Sequence, residues 1–399
     1  MTSSFLTGSI VSRDHRAQAG QIIGLFPAIL GVGGVQEAAR MTVAALSDIF
    51  KEQDVKAHLL SLNDARRTQV VNVNGSRVSL RGFGRSKVRF VLSAISRARS
   101  LRKRRAGIII AAHPYLAVPA ALMGRFAPGM KIVVMAHGVE VWNTLSPLRR
   151  RALMRACIVL APSRFTAQKL EEVQGVPPDK IRLLAWPLDP DFLRLIQRGA
   201  EVSIPAQFPH GRIILTVGRW AASEQYKGAD ELIHAVALLR PSNPDLQLVA
   251  VGSGDDLPRL KALATSLRIA DCVSFFEGLS REHIAACYCR ADIFALPSTG
   301  EGFGLVFLEA MASAKPVVGA AYGGTMDVVE DGVNGLLVPP KDAQKLANAL
   351  DSLLRDKSLC MRLGQTGAEI VQTKYAFHVF ERRLKAVLDE CGSADAAHF

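Results

Sequence analysis

Short apolar runs alternate with longer amphipathic stretches along most of this chain, and the alternation occurs twice. Runs at 22–26, 57–62, 107–111, 131–136, 157–161 and 181–184 make one set. Runs at 213–217, 246–251, 273–276, 293–297, 316–319 and 335–338 make another. Helical periodicity fills the intervals, as at 35–50, 227–239, 257–267, 304–314 and 343–354. A strand that is apolar along its whole length must be covered on both faces, and the intervening helices supply that cover. Each set therefore predicts a parallel sheet wound with helices on both sides. A break at 186–210, carrying Pro187, Pro190, Pro205 and Pro209, reads as the linker. The expected fold is α/β, two doubly wound Rossmann-like domains facing across a cleft, with residues 1–190 in the first and 191–374 in the second. Ligands of such sheets lie at the carboxyl ends of the strands, so the cleft is the expected site.

Composition narrows the class. Apolar residues make up 49% of the 399, enough to bury large cores. The six cysteines form no C-x-x-C pair, which argues against a zinc ribbon, a redox dithiol or a disulfide framework and fits a reducing cytoplasm. Residues 1–20 lack the apolar run of a signal peptide. The uncharged stretch 106–124 approaches membrane-spanning length, but His113, Pro114 and Pro119 interrupt it, so it reads as a buried strand, a loop and a short helix. The formal charge of +13 is uneven: 28 Lys+Arg against 11 Asp+Glu in residues 1–190, and 21 against 25 in the remainder. A basic half implies an anionic partner.

Several loops at strand ends carry chemistry. Pro27 to Glu37 holds Gly31, Gly33 and Gly34 ahead of a helix, where backbone can approach an anion. Neither this loop nor Gly252-Ser-Gly254 completes the dinucleotide fingerprint: Gln36 and Leu257 stand where the third glycine belongs. Taken alone, each loop is as readily a tight turn as a ligand site. Arg219 after one strand and Lys227-Gly228 before the next helix would suit a diphosphate, or be solvated surface charge. At 297–311 a strand end leads through Glu301 and Gly304 into an apolar helix with Glu309 inside it. A carboxylate amid so much apolar surface needs partners, and sugar or ribose hydroxyls would serve.

This constellation resembles the retaining family 4 glycosyltransferases of the GT-B fold, from the Gly31–Gly34 loop to the C-terminal helix. The most specific part is Arg219, Lys227-Gly228 and the run from Pro297 to Ala310, with Gly323-Gly324 and Asp331 to Gly335 following in order. The resemblance implies that Arg219 and Lys227 hold a nucleotide diphosphate and that Glu309 bonds the donor ribose. Glu301, with amides around Gly304 and Leu305, would hold hydroxyls of the transferred sugar, and Gly33 and Gly34 would face the phosphates and acceptor. His137, in His137-Gly-Val-Glu140 after a strand, resembles the family's histidine near the reaction centre. Four residues are therefore expected to be catalytic, His137, Glu301, Arg219 and Lys227, with Glu301 positioning the sugar rather than attacking it. No cofactor or metal is expected. Asp189-Pro-Asp191 resembles a D-x-D metal motif but sits in the linker, where a hinge turn is the better reading, and Cys287-Tyr-Cys289 after His283 reads as core packing. The helix at 375–399 is expected to cross back onto the first domain.

The implied activity moves a hexose of the glucose or mannose class from a nucleoside-diphosphate sugar to a glycan or lipid-linked acceptor. Ten Lys/Arg and no acids lie between Arg81 and Arg105. Val88, Val91, Leu92, Ile95 and Ala98 repeat there at helical spacing, as a stripe packed on the sheet. The basic face would be solvated, or attracted to an anionic membrane surface together with Arg149 to Arg151 and Arg155. That gives a cytoplasmic enzyme, peripheral at the inner face of the membrane. Nucleic acid is not expected, since only Phe83 and Phe90 offer stacking. Two rival readings are another GT-B enzyme, a sugar-nucleotide epimerase or phosphorylase, and a non-catalytic basic membrane-binding protein.

Overall fold

A computed structural model describes residues 21–393 except 32, 52–55, 74–75, 103–106, 200, 203 and 205–206. The first 20 residues, the end of the basic run at Lys103 to Arg105, linker residue Pro205 and the last six residues lie outside them.

Eight strands form the first sheet: β1 Gln21–Phe26, β2 Lys56–Ser61, β3 Thr68–Val73, β4 Ser76–Gly82, β5 Gly107–Ala111, β6 Met130–Met135, β7 Ile158–Ala161 and β8 Ile181–Leu183. Their order is β3-β4-β2-β1-β5-β6-β7-β8. The second sheet has β9 Arg212–Val217, β10 Leu246–Val251, β11 Val273–Phe276, β12 Ile293–Leu296, β13 Val317–Ala320 and β14 Gly335–Val338, in the order β11-β10-β9-β12-β13-β14. Both are Rossmann-like. The two central strands show why: β1 is buried at every residue and β9 at all but its ends. Helices cover both faces, as the full-length apolar runs require.

One hairpin departs from the expected pattern. β3 and β4 pair antiparallel, from Thr68 opposite Arg81 to Val73 opposite Ser76. Along β3 exposure alternates residue by residue, the period of an edge strand with one wet face. A search for continuous apolar runs passes over it for that reason.

The linker and C-terminus lie together. Leu188 donates its amide to the Tyr375 carbonyl at 2.9 Å. Trp186, 4% exposed, stacks on His137 (5.4 Å) and meets Phe380 at a tilt (5.9 Å). The helix Phe377–Ser393 carrying Phe380 packs on the helix Gly34–Ile49 of the first domain.

The basic segment forms the helix Lys87–Ser100, and its buried face follows the expected stripe only in part, at Ala98 and at Val91, which packs against the core. Phe90, Ala94 and Ala98 point inward, while Val88 and Leu92 are 70% and 61% exposed. Spacing of four keeps the inward set on one side. Phe90, which packs edge-on to Phe83 at 5.4 Å, offers more area to bury than Val88 and so sets the rotation. The helices Ala117–Phe126 and Pro147–Leu153 continue the layer. They expose Leu122 and Leu148 beside Arg125, Arg149 and Arg151. Among the described residues no helix is long and apolar enough to cross a membrane.

Phe90→Ala is expected to cost about 3–5 kcal/mol, and Leu92→Ser less than about 0.5 kcal/mol. Urea unfolding followed by circular dichroism compares them.

Candidate active site

Strand-end loops of both sheets converge on the cleft. The turn after β1 is held from two sides. Asp64, buried, accepts from the Ile29 amide at 2.8 Å and from Ser61 Oγ at 2.6 Å. Arg40 donates to the Ile29 and Gly31 carbonyls at 3.1 and 2.8 Å. Gly33 then opens the helix Gly34–Ile49 at φ 136°, a region that favours glycine. A Cβ on Gly34 would lie 4.0 Å from Leu305 of the second domain, so the two loops face each other.

After β6 the chain turns at His137. Its amide donates to Glu140 Oε1 at 2.6 Å, and its Nε2 lies 2.8 Å from the Ala112 carbonyl. A carbonyl only accepts, so the neutral ring carries its proton on Nε2 and offers Nδ1 as an acceptor. His113 stacks on His137 at 5.6 Å, and burial pushes the His113 pKa down to about 4. The next residue, Gly138 at φ 147°, meets the second domain: a Cβ there would lie 2.3 Å from Gly302 Cα. A Cβ on Gly302 would lie 1.9 Å from the His137 carbonyl oxygen. Ser163 Oγ donates to the Gly302 carbonyl at 2.8 Å. Arg164 pairs with Asp327 at 2.8 Å across the same boundary.

On the second domain, Arg219 follows β9 and Lys227 closes the short turn Ala222–Lys227. Glu224 sits between them, in ion pairs with Arg219 and, at 4.0 Å, with Lys227. Lys227 Nζ also donates to Glu301 Oε1 at 3.0 Å. Lys227 and Glu301 are 16% and 15% exposed whereas Arg219 is 72% exposed, so the lysine is fixed and the arginine reaches into solvent. Gly228 follows at φ 77°, with its Cα against the Pro297 carbonyl, which locks the Lys227 turn onto the Glu301 loop. Gly324 donates its amide to the Glu301 carbonyl at 2.8 Å. Gly304, at φ 97°, caps the helix Leu305–Ala312 without a side-chain partner, so the first amides of that helix have no side-chain cap.

Glu309 stands apart from the lysine. It is half-buried, and Tyr288 donates to its Oε2 at 2.7 Å. Burial pushes its pKa up to about 7, with Glu37, Arg281 and Asp189 acting on it as well. Arg281 in turn binds Asp189 at 2.5 Å and lies 3.6 Å from Glu37. Asp189 also accepts from the Asp191 amide at 2.9 Å, capping the helix Pro190–Arg198. The aspartate pair is thus a hinge turn engaged in a cap and an ion pair.

Residues 203–370 match the glycosyl transferases group 1 family and residues 32–192 match glycosyltransferase family 4. The GDP-mannose-dependent alpha-(1-6)-phosphatidylinositol monomannoside mannosyltransferase of Mycolicibacterium smegmatis is 31% identical over 294 residues, covering 68% of this chain and 74% of that protein. The chain belongs to the family 4 glycosyltransferases of the GT-B fold. This glycosyltransferase also matches the D-inositol 3-phosphate glycosyltransferase of Stackebrandtia nassauensis, 36% identical over 49% of this chain and 46% of that one. In fold it superimposes on a glycosyltransferase of Rickettsia africae (TM-score 0.72, 19% identity, 94% and 99% of the two chains). Anabaena HepE in complex with UDP gives a TM-score of 0.68 at 18% identity over 93% and 100%.

Of the residues singled out from sequence, the structure joins Arg219 to Lys227 through Glu224 and Lys227 directly to Glu301, sets His137-Gly138 against the Glu301-Gly302 turn, and faces Gly34 to Leu305. It leaves Glu309 with a different set of partners. Glu224, Asp64, Arg40 and Tyr288 were not foreseen. An acid between two candidate cations was a readable signal for Glu224. Asp64 acts on a loop 35 residues away, which no local pattern reveals.

Gly138→Ala combines an unfavourable φ with a clash against Gly302 backbone. It is expected to lower the unfolding midpoint of the isolated protein and to raise its radius of gyration in small-angle scattering, as the domains part.

Proposed function

We propose that this glycosyltransferase moves a hexose from a nucleoside-diphosphate sugar to a glycan or lipid-linked acceptor with retention of configuration and without a metal. The observation that carries this reading is Lys227, fixed between Glu301 and Glu224 at the cleft, with the exposed Arg219 on the same glutamate. Two cations held before any anion arrives can stabilise charge that develops on a departing diphosphate at little reorganisation cost. In this reading Arg219 and Lys227 hold the diphosphate and Glu309 takes the ribose hydroxyls. Glu301 and the amides at Gly304 and Leu305 position the sugar, while Gly33 and Gly34 approach the phosphates. As the bond from the anomeric carbon to the diphosphate oxygen lengthens, negative charge grows on that oxygen beside Lys227. The acceptor hydroxyl attacks from the same face, at the side where His137 lies, and its proton passes to the departing diphosphate oxygen, which takes the electron pair of the broken bond.

The mannosyltransferase relative, by its name, uses GDP-mannose and a phosphatidylinositol mannoside acceptor. That favours mannose among the hexoses and a lipid-linked acceptor. The acid-free basic layer of the first domain fits the same acceptor: each basic residue near an anionic surface adds on the order of 1 kcal/mol, and exposed Leu92 and Leu148 can enter the headgroup region. The protein is then peripheral, at the cytoplasmic face of a membrane.

Lys227→Ala is expected to lower kcat/KM by about 100-fold or more, as loss of a charge-stabilising donor does, in a radiolabelled transfer assay with UDP-glucose and GDP-mannose. EDTA should leave the wild-type rate unchanged, and the anomeric coupling of the product by NMR should match that of the donor. Unchanged transfer by the variant would refute the site.

Replacing Arg85, Arg89 and Leu92 together by serine is expected to reduce co-sedimentation with vesicles rich in phosphatidylglycerol, with transfer to a soluble acceptor retained. The charge part of that binding should fade between low and 0.5 M salt as the Debye length shrinks to a few ångströms, about 3 Å at 1 M.

A further inference from the structure

The helix Arg281–Arg290 carries one side chain whose polar end the core does not require. Tyr288 is completely buried, with its ring edge-on to Phe192 of the linker helix at 6.2 Å and tilted on Phe294 of β12 at 5.7 Å. Phenylalanine would fill that space. The hydroxyl brings a desolvation cost that only a good partner offsets, and its partner is Glu309 Oε2 at 2.7 Å. We propose that Tyr288 is a positioning residue of the donor site, its hydroxyl holding Oε2 of Glu309 so that Oε1 is presented to the ribose. This rests on the reading above that Glu309 bonds the donor ribose.

The electrostatic setting explains why such a donor is needed. Burial raises the Glu309 pKa to about 7, the Tyr288 hydrogen bond lowers it, Glu37 and Asp189 raise it and Arg281 lowers it. Glu37 is itself raised by burial and linked to Asp189, so the acids crowd one another. The remaining charged groups on elements packed here face elsewhere. Glu282 and Arg290 of the tyrosine's own helix are exposed, and His283 lies in its first turn. Asp191 and Arg194 of the linker helix pair with each other. The helix Lys357–Lys374 meets Leu305–Ala312 at Gly367 against Met311, and its Lys357, Arg362, Glu369 and Lys374 are exposed. Tyr288 is thus the neutral donor touching the carboxylate directly. An ionised carboxylate accepts from two hydroxyls at once, whereas a protonated one has an oxygen occupied by its proton.

Without the tyrosine hydroxyl the Glu309 pKa rises, so binding that needs the ionised form is lost over a wider range on the acid side and recovers at high pH. Affinity for the nucleoside diphosphate is expected to fall about fivefold at pH 7 and to converge with wild type near pH 9.

The experiment is calorimetric titration of wild type and Tyr288→Phe with UDP, GDP and inorganic pyrophosphate between pH 6 and 9. Pyrophosphate has no ribose and reports the Arg219 and Lys227 contacts alone. The expected result is a pH-dependent loss for whichever nucleoside diphosphate binds, an unchanged affinity for pyrophosphate, and no further loss when Tyr288→Phe is added to Glu309→Gln. Equal weakening of pyrophosphate, or a Tyr288→Phe profile that overlays wild type while only the melting temperature falls, would mean that the tyrosine merely packs and would overturn the proposal. Wild-type protein that binds neither UDP nor GDP would overturn the donor-site reading itself, and the proposal with it.

Discussion

Two backbones meet where no side chain fits. Gly138 and Gly302 lie so close that a Cβ on either would overlap the other chain, and the cleft is arranged around that contact. It brings the strand end after β6 against the turn after β12, and therefore His137 against the loop of Glu301. The Ser163 hydrogen bond to Gly302 and the Arg164–Asp327 ion pair border the same contact. A substitution that left every charged residue in place but widened this approach would separate the halves of the site.

Charge is distributed by a second rule. At the cleft the cations are balanced before a ligand enters: Arg219 and Lys227 face Glu224 and Glu301, and Arg281 faces Asp189 and Glu37. Ions that are mostly buried need such partners, because an unpaired charge would lose several kcal/mol of solvation. Part of the surplus that makes the molecule basic is carried instead on the outer helices of the first domain, where water solvates it. The net +13 arises in residues 1–190 rather than in the half that carries Arg219 and Lys227.

The linker joins these two regions mechanically. Trp186 stacks on His137 and meets Phe380 of the returning C-terminal helix, and Asp189 a turn later holds Arg281. Movement of the second domain against the first would disturb the Asp189–Arg281 ion pair, while the contacts of Trp186 with His137 and Phe380 stay within the first domain and its returning helix. Tyr288 touches the same region through Phe192, so the orientation of Glu309 is tied to how the linker helix is seated.

How much of this was legible depends on whether the signal was local. The parallel strands were, because full-length apolar runs with helices between them admit few other structures. So were the strand-end loops with Arg219, Lys227, Glu301 and Glu309, since fixed spacing beside a turn places side chains at one sheet edge. The β3–β4 hairpin was missed because an edge strand shows alternation instead of a continuous run. The buried stripe of the helix Lys87–Ser100 was misplaced by part of a turn: periodicity counts apolar positions, whereas packing weighs their area, and Phe90 outweighs Val88 and Leu92. Sequence alone thus determined two wound sheets, a basic first half and the chemistry available at the strand ends. Tertiary structure decided that Lys227 meets Glu301, that glycine faces glycine across the cleft and that a core tyrosine holds Glu309. Those contacts join residues from separate strand-end loops, helices or domains, and their distances are set only when the sheets are packed.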